Sequence, residues 1–163
     1  MRSARGSDGR AAGDGFEPWP LVAGVLQLPD GRRVRGRGLR RPAPGGPDPD
    51  HGYYLTGLPP PPLGWDSRWV PWPDFLLPLG WRRAARALVL AHQQAAHSRV
   101  ELACHAGRGR TGTALACMST LGGLTAREAI GYVRTHYDRH AVDTPWQRGF
   151  VRWFARRART LEN

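Results

Sequence analysis

Lysine is missing altogether. All 24 basic residues of this 163-residue chain are arginine, set against 13 acidic ones for a formal net charge of +11. A nucleotide-binding P-loop requires a lysine after its second glycine, so that reading is excluded even where glycines fall at the right spacing. Cysteine is scarce: Cys104 and Cys117 are the only two. On a helix Cys117 would lie two turns beyond Arg110, ~10 Å along the axis. A Cys104–Cys117 bridge is therefore not expected, and free thiols suit a reducing compartment. No apolar run approaches the ~20 residues of a membrane span, and no signal-peptide core follows Met1. The expectation is a cytoplasmic protein without a membrane span. His136 and His140 are spaced i, i+4 around Asp138, yet no third ligand accompanies them, so neither a metal nor another cofactor is expected.

Against these absences stands one dense motif. From Val100 to Thr113 the chain reads V-E-L-A-C-H-A-G-R-G-R-T-G-T. Val100, Leu102 and Cys104 alternate with Glu101 and Ala103 as in a short buried strand, and the cysteine falls where strand gives way to loop. Gly107, Gly109 and Gly112 admit tight turns and close approaches, and good helix formers follow. The loop thus ends on a helix N-terminus, whose free N–H groups and positive dipole end attract an anion. Inward amides across His105, Ala106, Gly107, Arg108 and Gly109, with the planar fork of Arg110, match the oxygens of a phosphoryl group. The same positive field favours thiolate over thiol at Cys104. The chemistry this pattern allows is in-line attack by the thiolate, a phosphocysteine intermediate, and stabilisation of the transition state by the loop and Arg110. Thr111 offers a hydroxyl to the sulfur when the intermediate is hydrolysed.

Cys104 to Gly112, C-H-A-G-R-G-R-T-G, resembles the signature loop of the cysteine-dependent protein tyrosine phosphatase superfamily, whose members include tyrosine-specific and dual-specificity enzymes. It departs at Ala103, where many members carry histidine. Trp72-Pro73-Asp74, followed by Phe75 and Pro78, is similar to that family's movable Trp-Pro-Asp loop and precedes the cysteine by thirty residues (104 − 74), in the family's order. The departing oxygen must be protonated, and a positioned acid contributes ~10²–10⁴-fold. The resemblance implies Asp74 as that acid and then as the base that activates water, with Asp66 in reserve. Gln147, forty-three residues after the cysteine (147 − 104) in a Thr-Pro-x-Gln-x-x-Phe setting, resembles the family's glutamine loop. That implies a role in placing the hydrolytic water, whereas Thr144, Pro145 and Gln147 equally spell a helix start with a capping box.

The rest of the chain supplies the scaffold. Residues 1–15 read as a disordered tail and 16–163 as one catalytic domain. Val22 to Arg37 reads as an antiparallel hairpin around Pro29-Asp30-Gly31, and His51 to Leu58 as another strand. Trp81 to His97 is an amphipathic helix burying Trp81, Ala84, Ala85, Leu88 and Ala95. Gly122-Gly123 ends the helix after the cysteine loop, Thr125 caps the next, and a last helix buries Trp146, Phe150, Val151 and Phe154. The expected fold is a single α/β domain, a mostly parallel sheet flanked by helices with an N-terminal antiparallel hairpin, binding its ligand beyond the strands' carboxyl ends. Six arginines between Arg32 and Arg41 form either a basic rim or a solvated strand face. The implied activity is that of a protein-tyrosine phosphatase, with dual specificity included and a phosphorylated protein as partner. Phosphoinositide and RNA 5′-phosphate hydrolysis are alternatives of the same chemistry, suggested by His105, Arg108 and the arginine-rich surface. A non-catalytic phosphate- or nucleic-acid-binding module is the alternative of another class.

Overall fold

Asp30 and Gly31 reverse the chain as their turn chemistry requires. Gly31 takes φ +91° and the Asp30 carboxylate accepts the Arg32 N–H, and β1 (Val25–Gln27) pairs antiparallel with β2 (Arg33–Gly38). The computed structural model describes residues 15–161. Of the tail expected over 1–15, all but Gly15 lies outside the described residues. β3 (His51–Thr56), β4 (Asp66–Pro71) and β5 (Val100–Cys104) complete a five-stranded sheet in the order β1-β2-β5-β3-β4, parallel apart from the hairpin. Four helices flank it among the described residues: α1 (Trp81–Gln94), α2 (Gly109–Leu121), α3 (Ala126–His136) and α4 (Pro145–Leu161). This is the expected single-domain α/β fold.

The register sorts the side chains onto two faces. Val34, Leu102, Tyr53, Leu55, Val70 and Cys104 face the helices and join Leu88, Leu115, Val133 and Phe150 in one apolar core. The other face is polar at its centre. Glu101, fully buried, accepts from Arg35 Nε (2.8 Å), Arg37 Nη1 (3.4 Å) and the Tyr54 hydroxyl (3.2 Å), and the Arg35 guanidinium lies 4.1 Å from the Trp19 ring centre. Two of the six arginines expected on a rim or solvated face are thus turned against an internal carboxylate, because a buried charge must be paired.

Three further departures have simple causes. β4 is an edge strand with only Val70 fully buried, so it carries no alternating pattern. It is reached through residues 57–65, whose prolines at 59–62 form the expected stiff connector; ~3.1 Å per extended residue suffices to travel back along a strand. Trp81 and Trp146, expected in buried stripes, are 40% and 48% exposed. Trp81 packs edge-on against Phe150 and Trp153 at the helix boundary, and Trp146 turns toward the loop that holds Asp74. The reserve acid Asp66 opens β4 and pairs with His51 Nδ1 at 2.8 Å. That is the amino-terminal end of the strands, opposite Cys104, so Asp66 is excluded from any site built there.

Candidate active site

The central strand β5 delivers Cys104 to the carboxyl edge of the sheet, and the chain then curls under the start of α2. Leu39 and Arg40, just past β2, donate N–H groups to the Cys104 and His105 carbonyls (2.9 and 3.0 Å) and steer the loop over the sheet. Gly107 sits at φ +75°, and a Cβ there would meet Gly38 N at 2.5 Å, so turn and close approach both demand glycine. Its N–H donates to Cys104 Sγ at 3.2 Å, and the Thr111 hydroxyl donates at 3.0 Å. The Tyr137 hydroxyl donates to the Gly107 carbonyl. Burial, followed by the nearby Cys104 and Asp138 charges, raises the Tyr137 phenol well above its ordinary range, which keeps it a donor. Cys117 is also free and, like Cys104, buried, and burial raises its thiol well above the usual value.

Arg110 lies in the first turn of α2 and is 2% exposed. Its Nη1 donates to the Trp72 carbonyl at 2.9 Å, and its Nη2 lies 3.4 Å from Asp74 Oδ1. The loop carrying Asp74 is folded onto this arginine. Trp72, completely buried and 5.5 Å from the Phe150 ring, donates its indole N–H to Leu76 O (2.8 Å). Leu79 N closes the loop base on Pro71 O (3.1 Å). Within it Asp74 Oδ1 accepts the Phe75 N–H, Phe75 takes φ +58°, and Trp146 Nε1–H donates to the Phe75 carbonyl. Non-glycine residues in this region cost about 1–3 kcal/mol and persist only where their surroundings hold them.

The remaining expected residues separate. Ala106 is exposed and His105 half-buried at the mouth. Arg108, 46% exposed, directs Nε to Asp138 Oδ2 at 3.7 Å, which occupies part of its charge outside the loop. Gln147 is fully buried, and its Oε1 accepts the Asp143 and Thr144 N–H groups (2.8 and 3.3 Å) while its own N–H reaches Thr144 Oγ1 (3.2 Å). The capping box is thus made, and among the described residues only its Nε2 is left without a partner. His136 Nδ1 bonds the Tyr132 carbonyl and His140 Nε2 accepts from Arg139 Nε. Among the described residues no group of three or more His, Cys, Asp or Glu is arranged to hold a metal ion.

One residue escaped the sequence reading. Asp143 closes against the cysteine loop so tightly that a Cβ on Gly109 would strike its Oδ2. Ala141 fills the same role over Gly112, and Arg134 clamps the turn by donating to the Ala141 and Val142 carbonyls (2.9 and 2.8 Å), with Val142 at φ +61°. Burial, together with the Asp74 and Asp138 carboxylates, outweighs His140 and Arg134 and raises the Asp143 carboxyl above its ordinary value. Two carboxyl groups, Asp74 and Asp143, therefore flank the loop from opposite sides of the sequence. The only sequence hint was Asp143's position four residues before Gln147.

No helix among the described residues is long and apolar enough to cross a membrane. No protein-family model matches the chain, and a search of curated proteins found no similar sequence. Solved structures do match. The active form of the protein tyrosine phosphatase Tk-PTP superposes with a TM-score of 0.64 at 23% identity, over 82% of this chain and 97% of that one. A glycine-to-alanine mutant form of Tk-PTP gives 0.60 at 27% identity, over 69% and 81%. With the cysteine loop at the edge of β5 and the Asp74 loop folded over it, the chain has the compact fold of the cysteine-dependent protein tyrosine phosphatases.

Proposed function

We propose that this protein is a metal-independent phosphomonoesterase that removes phosphate from tyrosine side chains of proteins, with phosphoserine and phosphothreonine included. The observation that carries the reading is the convergence at one sulfur: Gly107 N–H and the Thr111 hydroxyl point at Cys104 Sγ, while Arg110 links the cysteine loop to Asp74. A thiolate so placed attacks phosphorus from beneath, and Arg110 with the amides of residues 105–109 takes the equatorial oxygens. The ester P–O bond breaks as S–P forms, and the leaving oxygen takes the proton of Asp74. Water then attacks phosphorus and gives a proton to Asp74. The S–P bond breaks, and Thr111 steadies the returning sulfur anion. Gln147 serves this second step through the N–H donors of Nε2, its Oε1 being engaged in the cap.

The fold shared with Tk-PTP supports phosphatase chemistry. The pairing of Arg108 with Asp138 weighs against a multiply phosphorylated headgroup, which would need that charge inside the loop. The cytoplasm, a reducing compartment, suits two free thiols.

The test is direct. Cys104→Ser should abolish turnover of an aryl phosphate while inorganic phosphate or vanadate still binds, and Asp74→Ala should cut turnover by ~10²–10⁴-fold with far less effect on substrate binding. Full activity in the serine variant would end the nucleophile assignment.

A further inference from the structure

Beside the proposed site lies a groove of about 690 Å³ between the outer edge of the sheet and α1. Four consecutive β4 residues, Arg68 to Pro71, line it. In a strand, consecutive side chains point to opposite faces, so the shared wall is the strand's backbone edge. Among the described residues β4 pairs only with β3, which leaves the outward N–H and C=O groups of this edge without a strand partner there. Natural edge strands are usually blunted by proline or covered, since they are templates for another strand; here proline stands only at the end, Pro71. Its lining is partly apolar, with Trp69 42% and Leu79 72% exposed and Leu90 among the same residues. Three arginines, Arg68, Arg83 and Arg86, also line it, and among the described residues the lining contains no carboxylate.

We infer that this groove takes an extended acidic peptide segment, added as a sixth strand along β4, and that the segment flanks the phosphorylated residue of a protein substrate. The inference rests on the phosphatase reading for the identity of that residue, but the groove is argued on its own chemistry. Backbone pairing supplies affinity in strand addition, and pockets for alternate side chains supply selection. A repeating acidic–apolar pattern meets this groove on both counts, its carboxylates against the three arginines and its apolar residues against Trp69 and Leu79. A nucleic-acid strand offers no N–H and C=O ladder to satisfy the edge. The position also suits a substrate: the added strand would lie three strand spacings, ~14 Å, from β5, and the groove walls at Pro71 and Leu79 are the two feet of the Asp74 loop.

The probe is an eight-residue peptide alternating glutamate with valine and carrying phosphotyrosine at one end, compared with its lysine–valine counterpart and with a small aryl phosphate. The variant is Arg68→Glu/Arg83→Glu/Arg86→Glu, three exposed positions outside the proposed catalytic machinery. The wild type should prefer the acidic peptide in kcat/KM by about tenfold, the scale of three exposed charge pairs acting together. The variant should lose or reverse that preference and turn over the aryl phosphate as before. N-methylation of alternate peptide amides should remove the preference as charge reversal does. Fluorescence anisotropy of the unphosphorylated acidic peptide separates the two claims: binding that tracks the three arginines in a protein that hydrolyses none of the esters keeps the groove and removes the phosphatase. An acidic preference that survives charge reversal overturns the groove. So does a single-stranded oligonucleotide that binds there more tightly than the peptide and loses that binding in the variant.

Discussion

Trp146→Phe should loosen the loop that carries Asp74 while keeping an aromatic ring at the position. The indole N–H of Trp146 donates to the carbonyl of Phe75, the residue held at φ +58° beside the proposed acid. Phenylalanine keeps the ring and loses the donor. A neutral hydrogen bond contributes ~0.5–1.5 kcal/mol, and Trp146 is 48% exposed, so water recovers part of it and the lower half of that range applies. At RT of about 0.6 kcal/mol this lowers the closing equilibrium of the loop ~2–5-fold. The loss should appear only where the proton matters. In kcat/KM, which reports on attack and departure, phenyl phosphate should suffer the full effect. A dinitrophenyl ester, whose oxygen leaves without a proton, should be nearly untouched. Inorganic phosphate should inhibit both proteins equally, because the cysteine loop and Arg110 are unchanged. A series of aryl phosphates graded by leaving-group acidity measures this as a steeper slope in the variant. An equal loss across the series, or no loss at all, would show that Trp146 is packing alone.

Two other outcomes test the scaffold and its charges. Glu101→Gln leaves the Arg35 and Arg37 guanidiniums without their anion; breaking such a buried pair costs ~3–5 kcal/mol, on the order of 6–20 °C in Tm for a domain of this size, and a loss below about 1 kcal/mol in thermal or urea unfolding contradicts the pairing argument. Asp143→Asn tests the raised carboxyl: because burial and the neighbouring carboxylates lift its folded value above 3.8, the wild type is favoured below that value and loses stability as pH rises through the folded one. Urea midpoints should therefore show the asparagine variant gaining on the wild type across that rise and not below it. A constant difference at every pH would mean that Asp143 does not titrate as its surroundings require.

How much was legible follows from where each signal resides. The hairpin around Asp30-Gly31, the strand Val100–Cys104, the helix after Gly109 and the capped starts at Thr125 and Thr144 were all readable, because turn chemistry, alternation and capping act over a few residues. β4 was not, since an edge strand with one buried side chain has no period. Glu101 read as an ordinary alternation in a strand, and only its partners from β2 and β3 explain a carboxylate in the middle of a sheet. Asp143 was invisible for the same reason: its contact with Gly109 spans thirty-four residues (143 − 109) and follows no local rule.

The order of residues alone determined the proposed reactive centre of this protein. A cysteine at a strand end, glycines where backbone must turn inward and an arginine at a helix start are properties of nine consecutive residues, and anion geometry leaves them little freedom. Tertiary structure alone decided what surrounds that centre. Folding put Asp74 and Asp66 at opposite ends of the parallel strands, spent Arg35 and Arg37 inside the sheet, and brought Trp146 to the Asp74 loop and Asp143 to the cysteine loop. Such choices depend on which distant segments share a surface, and that is settled by burying the whole core at once rather than by any one stretch of chain.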